Sequence, residues 1–221
     1  MKKLIVLCWI PLCLLLFTTC KKDNTFKVSL QGTIFDPNSN QPVSNANIVL
    51  SASMISSGTY NSNYNEVTST SSDANGNYSI STSITGKPVG FRIAVVKQGY
   101  FFNSVDIGPT VFDNNTTYQQ SFNIYPEAYL ALQVKNVSPN DSTDKITYYY
   151  TTLPSLFCSQ CCSDNQITGN GQYYQSASTC KTYGNQWTKI IWTVIKFGNL
   201  NYHVDSIFCN SFDTAHYSIN Y

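Results

Sequence analysis

The sequence predicts an all-β protein: an N-terminal β-sandwich followed by a second, smaller β-sandwich-like domain with a Cys-rich excursion. Three observations predict it. Apolar and polar residues alternate with a period of two in one segment after another, and no segment sustains the 3.6-residue period of an amphipathic helix. Charged residues make up only 11% of the chain, against about 25% in an average globular protein, so polarity rests on Ser, Thr and Asn, which favour turns and caps. Sixteen Tyr and twelve Phe supply rings that favour strands and fill cores. The 221 residues suffice for one large or two small domains. A formal net charge of +1, with no Lys/Arg cluster, speaks against a nucleic-acid partner.

The elements follow in chain order. Met1-Lys2-Lys3 is a short basic start, and residues 4–17 are almost unbroken apolar chain. That run is shorter than the roughly 20 residues a membrane-spanning helix needs. With Thr18 and Thr19 before Cys20, residues 1–19 have the layout of a secretory signal. Phe17-Thr18-Thr19-Cys20 resembles a bacterial lipobox, with Phe17 where Leu is usual and Thr19 where Gly, Ala or Ser is usual. Cys20-Lys21-Lys22-Asp23 is similar to lipoproteins of the Bacteroidetes type. The resemblance implies acylation of Cys20, with a palmitate-bearing N-terminus, a tether over residues 20–25 and an outer-membrane location on the periplasmic or surface side. The membrane would then be a partner through the lipid. Each buried methylene contributes about 0.8 kcal/mol to such an anchor. Cleavage before Cys20 removes Lys2 and Lys3 and leaves the mature chain slightly acidic.

A first domain is expected over residues 26–125. Val28, Leu30, Gly32 and Ile34 share one face of a half-buried strand, and residues 36–40 form a turn. Ile48, Leu50, Ala52 and Met54 mark a second strand. Residues 56–65 read as an exposed loop rich in Ser, Asn and Tyr. Residues 66–70 form a short strand. Asp73-Ala74-Asn75-Gly76-Asn77 reads as a tight turn, since Asn and Gly tolerate positive φ; a calcium loop is the other reading, but no bidentate Glu follows. Residues 78–83 pair back, Phe91, Ile93 and Val95 mark a core strand, and residues 118–125 complete the domain.

Four pieces of this stretch, in order, resemble the carboxypeptidase regulatory-like family. They are Gln31-Gly32-Thr33-Ile34-Phe35, Gln41-Pro42-Val43-Ser44-Asn45-Ala46-Asn47-Ile48-Val49-Leu50, Ser72-Asp73-Ala74-Asn75-Gly76-Asn77-Tyr78-Ser79-Ile80 and Val95-Val96-Lys97-Gln98-Gly99-Tyr100. The resemblance implies a transthyretin-like, or prealbumin-like, β-sandwich. These are folding residues, and no catalytic role comes with them. The zinc peptidase to which such domains are attached has no counterpart here: no H-x-x-E motif occurs, and the chain has two His.

A second β domain of no recognised family is expected over residues 126–221. Leu130, Leu132 and Val134 open it, and residues 145–152 carry three consecutive Tyr. Residues 153–185 read as a long Cys-, Gly- and Ser-rich excursion. Residues 187–197 are apolar on both faces, as expected of a central strand buried on both sides. Residues 198–201 form a turn. Tyr202, Val204 and Phe208, then Tyr217, Ile219 and Tyr221, mark the last strands.

Of eight Cys, Cys8 and Cys13 lie in the signal and Cys20 at the lipidation site. Five disulfide candidates remain: Cys158, Cys161, Cys162, Cys180 and Cys209. An odd number allows at most two bridges, and the adjacent Cys161 and Cys162 are expected to take different partners. The single C-x-x-C step lacks the second ligand pair of a zinc site, so no metal and no cofactor is expected. Structural disulfides are weighed against a redox-active role for the same cluster.

The chain has no G-x-S-x-G, H-E-x-x-H, P-loop or G-x-G-x-x-G motif. His203 and His216 read as exposed strand residues, although His203 shares a strand face with Asp205. Tyr60, Tyr64, Tyr148, Tyr149, Tyr150, Tyr173 and Tyr174 fall in or beside loops. Tyr with Asn and Ser suits an adaptable recognition surface; ordinary strand packing is the competing account. Together these features predict a non-enzymatic envelope lipoprotein that binds or scaffolds a protein or a glycan. The alternatives are a spacer without its own ligand, and a hydrolase or redox protein using the Cys cluster or His203 with Asp205.

Overall fold

The structure is a computed structural model that describes residues 25–56, 59–60, 62–152, 156 and 158–221. Residues 1–19, expected to be a signal segment, and Cys20 lie outside the described residues. Two β-sandwiches follow each other along the chain, each around its own core.

The first is built from β1 (Thr25–Asp36), β2 (Gln41–Pro42), β3 (Asn47–Ser56), β4 (Thr59–Tyr60), β5 (Asn65–Ser71), β6 (Asn77–Thr85), β7 (Lys87–Val96), β8 (Asn103–Ile107), β9 (Tyr118–Gln119) and β10 (Phe122–Asn123). One sheet centres on β1, which pairs antiparallel with β6 and β2 and parallel with β9 and β10. The other centres on β3, flanked by β5 and β7, with β8 outside β7. The alternation expected over residues 26–35 holds: Val28, Leu30 and Ile34 of β1 are buried against Ile48 and Leu50 of β3 and Phe91 and Ile93 of β7. Burying each such side chain contributes about 1.5–3 kcal/mol. Phe91 sits between Phe26 and Phe112, at ring distances of 5.7 and 5.1 Å.

Three motif residues hold turns. Asp73 accepts the backbone N–H groups of Asn75 and Asn77 at 2.9 and 2.8 Å. These bonds, that of Asn77 first, hold its carboxyl below the usual range. Gly76 takes φ +76° there. The buried Ser72 hydroxyl donates to the Val43 carbonyl and accepts from Ala46 N–H. That bond pair fixes the chain between residues 42 and 46.

The second sandwich comprises β11 (Glu127–Lys135), β12 (Lys145–Thr151), β13 (Ile167–Asn170), β14 (Gln175–Tyr183), β15 (Gln186–Lys196), β16 (Asn199–Cys209) and β17 (Thr214–Asn220). One sheet has the order β14-β11-β17, the other β13-β12-β15-β16. Leu130, Leu132 and Val134 of β11 pack against Ile146, Tyr148 and Tyr150 of β12 and Ile190 and Val194 of β15.

Two expectations fail here. The excursion over residues 153–185 contains two strands of the sandwich, β13 and β14. β14 carries Ser, Ala, Thr and Lys rather than large apolar residues, because it lies at a sheet edge and covers little core. The Cys loop then docks on that edge: Cys161 bridges to Lys181 in parallel, and Cys162 N–H donates to the Lys181 carbonyl at 2.9 Å. The other failure concerns β15. It is central in its sheet but buried on one face only: Thr188, Ile190 and Val194 turn inward, while Trp187 and Lys189 are exposed and Ile191 and Ile195 half-buried. Nothing among the described residues covers the outer face.

The sandwiches meet in an aromatic joint. The chain passes through Tyr125-Pro126-Glu127 with its backbone groups paired: Glu127 N–H donates to Gly99, Gly184 N–H to Pro126 and Phe101 N–H to Tyr125. Tyr183 packs on Phe101 at 4.9 Å and on Tyr125 at 4.6 Å, and Phe212 packs on Tyr100 at 5.5 Å. Asn38 of the first sandwich donates its side-chain amide to the Gly184 carbonyl and to Gln186 Oε1 of the second. A half-buried Lys181–Glu127 ion pair at 2.8 Å flanks the rings.

Candidate functional site

The outer face of the β12-β15-β16 sheet is the most distinctive surface among the described residues. Antiparallel register fixes who stands beside whom. Ile191 lies opposite Tyr149 and Val204, Thr193 opposite Thr147 and Tyr202, and Ile195 opposite Lys145 and Leu200. These residues alternate with the inward-facing Tyr148, Tyr150, Ile190 and Val194, so they share the outer side of the pleat. Leu200 is 65% exposed and Tyr202 61%. Towards the joint, past the Lys189–Ser206 row, Trp187 is 61% exposed and packs edge-on against Phe208 at 5.5 Å. A groove of about 550 Å³ runs beside Trp187, lined among others by Thr151, Asn185, Lys189 and Ser206. Singly scattered apolar residues are normal on a surface, but a contiguous aromatic and branched face marks an interaction site.

The tip of this face is unusual. β15 and β16 join through the two-residue loop Phe197-Gly198, with φ +53° and +74°. Both values positive define the hairpin turn that favours Asn-Gly. Phe at the first position accepts left-handed backbone strain, yet its ring is 74% exposed and gains little packing in return. Strain of this kind collects at functional positions.

The Tyr residues singled out in the sequence fall in different environments. Tyr148 and Tyr150 are corrected: they are buried in the second core, 1% and 4% exposed, because Ile146 sets the inward phase of β12. Burial pushes the Tyr148 hydroxyl up to about 12. Tyr149 has the opposite phase and joins the outer face. Tyr174 packs against the second core. Tyr173 is 82% exposed, in the turn before β14, the most of any described side chain in the group. Tyr64 lies beneath the Arg92 guanidinium at 4.3 Å, beside the Arg92–Asp106 pair, in the first sandwich and apart from the candidates of the second. The backbone of Tyr60 belongs to β4; its side chain lies outside the described residues.

Cys158 bonds to Cys161 and Cys162 to Cys180, so the adjacent pair does take separate partners. Cys209 is a free, buried thiol. Its Sγ donates weakly to Thr188 Oγ1 at 3.6 Å, and burial pushes it up. A protonated, enclosed thiol is a poor nucleophile.

His203 and Asp205 do not form a base and its orienting carboxylate. The His203 ring lies flat on Trp192, at 5.1 Å and 13°. Asp205 accepts from the Tyr217 hydroxyl, which holds its carboxyl below the usual range. His216 is exposed on β17. Among the described residues no group of His, Cys, Asp and Glu is arranged to hold a metal ion, and no helix is long and apolar enough to cross a membrane.

No protein-family model and no curated protein matches the chain. Distant likenesses exist among solved structures. The Bacillus anthracis TIE protein is 13% identical at a TM-score of 0.36; the match covers 88% of this chain and 34% of that one, so this chain spans about a third of its length. The shaft pilin SpaA from Lactobacillus rhamnosus GG is 7% identical at 0.30, over 89% and 97% of the two chains. GBS52, the minor pilin of Streptococcus agalactiae, is 8% identical at 0.28, over 87% and 94%. Likeness at this distance carries no inference about activity, and the fold class rests on the sheets described above.

Proposed function

We propose that the protein is a non-enzymatic binding module of the cell envelope, anchored through a lipid on Cys20, which docks a partner protein on the outer face of β12, β15 and β16. The observation that carries this reading is the open face itself: Ile191, Val204, Leu200, Tyr202 and the Phe197 tip, with Trp187 and Phe208 beyond, on a continuously paired sheet. Protein interfaces place Trp and Tyr at their energetic centres and deplete charge there. The lipobox-like Cys20 and the mixed, low charge of the chain support the envelope location. The first sandwich is proposed to be of the carboxypeptidase regulatory-like, transthyretin-like kind, since the quoted motifs fall on β1, on the strand-to-turn junction at Ser72 and Asp73, and at the end of β7.

The test places a photo-crosslinking amino acid at Tyr202, and as a control at Tyr173, in full-length protein in its own cells. The expected result is one discrete adduct with a protein other than a second copy of this chain from position 202, lost with Trp187→Ala plus Leu200→Ser and absent from position 173. Equal adducts from both positions would sink the docking face. Labelled fatty acid should enter the wild type and not Cys20→Ser. Retention of a polysaccharide by the same face, without a protein adduct, would move the reading to a glycan.

One observation favours a second reading, a spacer without its own ligand: the joint fixes the two sandwiches against each other. A spacer tolerates the loss of the outer face. Trp187→Ala plus Leu200→Ser should then leave the cellular phenotype of the wild type intact.

A further inference from the structure

β16 is an eleven-residue strand that pairs with β15 on one side and, among the described residues, with no strand on the other. The other edges of the sandwich are shorter or covered: β13 has four residues, the Cys loop bridges β14, and β17 has seven residues against the eleven of β16. Natural edge strands of this length are usually blunted by Lys, Pro or a bulge. Residues 199–209 contain no Lys and no Pro, and β16 pairs with β15 without a register shift.

We propose that the open edge of β16 pairs with the same edge of a second copy, antiparallel about a two-fold axis through Val204. This surface is the strand's backbone edge, distinct from the outer face proposed above as a docking site, and it does not depend on that reading. Three features argue for it. The two-residue loop makes Lys196 and Asn199 a hydrogen-bonded pair, so the odd-numbered residues of β16 bond to β15. The N–H and C=O groups of Leu200, Tyr202, Val204, Ser206 and Phe208 therefore point to the open edge. Centred on Val204, these five residues pair among themselves: Leu200 with Phe208, Tyr202 with Ser206, Val204 with itself. The apolar side chains then fall on one face, as cross-strand partners should.

The third feature is charge. The same register sets His203 opposite Asp205 on the inner face, twice by symmetry. Both are non-hydrogen-bonded pairs, in which side chains approach most closely. In each copy His203 is held by its stack on Trp192 and Asp205 by Tyr217, so both are positioned before the copies meet. A self-complementary patch of this kind is what a two-fold dimer requires. The product is a continuous eight-stranded sheet in which the outer faces of two copies adjoin.

The test measures the sedimentation of detergent-solubilised full-length protein over a concentration series. The wild type should form dimers. His203→Asp sets two carboxylates opposite each other, and Asp205→His removes the acceptor that faces His203; each should weaken dimerisation about tenfold. The double swap His203→Asp with Asp205→His should restore it to within about twofold of the wild type. Circular dichroism checks that each variant keeps its strands. Amide exchange supplies a second measurement: in the dimer, protection should rise with concentration at the backbone amides of residues 200, 202, 204, 206 and 208. A protein that stays monomeric throughout, a dimer indifferent to both single swaps, or a dimer without protection of those amides would overturn the proposal. The last result would mean that the copies meet through another surface.

Discussion

Gly32 stands where β1 changes partner. On one side β1 pairs with β9 through Leu30 and Gln31, on the other with β10 through Ile34 and Phe35. A Cβ at residue 32 would lie 1.8 Å from the Gln120 carbonyl oxygen. That neighbour is backbone and cannot swing aside. Gly32→Ala should therefore cost about 2–4 kcal/mol in denaturant unfolding, and an unchanged midpoint would disprove the close approach. The residue appeared in the sequence as one position of an alternating strand. Its partner lies 88 positions away, which alternation cannot reveal. The Tyr run shows the converse. Ile146 fixes the inward phase of β12, so the burial of Tyr148 and Tyr150 and the outward turn of Tyr149 were legible from that one neighbour.

At the scale of elements, the β15–β16 hairpin carries the clearest conflict between local preference and observed chain. Phe197 occupies a left-handed position that Asn would fill with less strain, and its exposed ring contributes little to folding. Phe197→Asn should raise stability by about 0.5–1 kcal/mol in chemical denaturation while weakening the Tyr202 adduct described above. A destabilised variant would show that the ring packs after all. The apolar pattern on both faces of residues 187–197 was correctly read, but its meaning was not. Two apolar faces imply two contacts; one is the core, and the other has no cover among the described residues. The neighbouring strand held the missing signal, since Leu200, Tyr202, Val204 and Phe208 continue the same outer face. β14 escaped recognition for the opposite reason. An edge strand of small polar residues has the composition of a loop, and its pairing with β11 along its whole length is a tertiary fact.

For the whole molecule, the two cores are separate but their boundary is not a free linker. Tyr183 of the second sandwich packs between Phe101 and Tyr125, and Asn38 ties the β1–β2 turn to Gly184 and Gln186. Such contacts couple the two cores, whereas bare linkers allow relative motion by default. The wild type should melt in one calorimetric transition. Tyr183→Ala with Asn38→Ala should divide it into two, since neither core loses a central residue; one undivided transition in the variant would show that coupling lies elsewhere. The joint also decides how the molecule carries load. β1 runs from Thr25 into the joint at Asp36, and β15 runs from Gln186, at the joint, to the Phe197–Gly198 tip. Tension applied between those two ends is directed along strands that are laddered to β6 and β12 over most of their length. Rupture then has to shear many hydrogen bonds at once instead of peeling them singly, so a molecule gripped at Thr25 and at its tip is loaded in its mechanically strong direction.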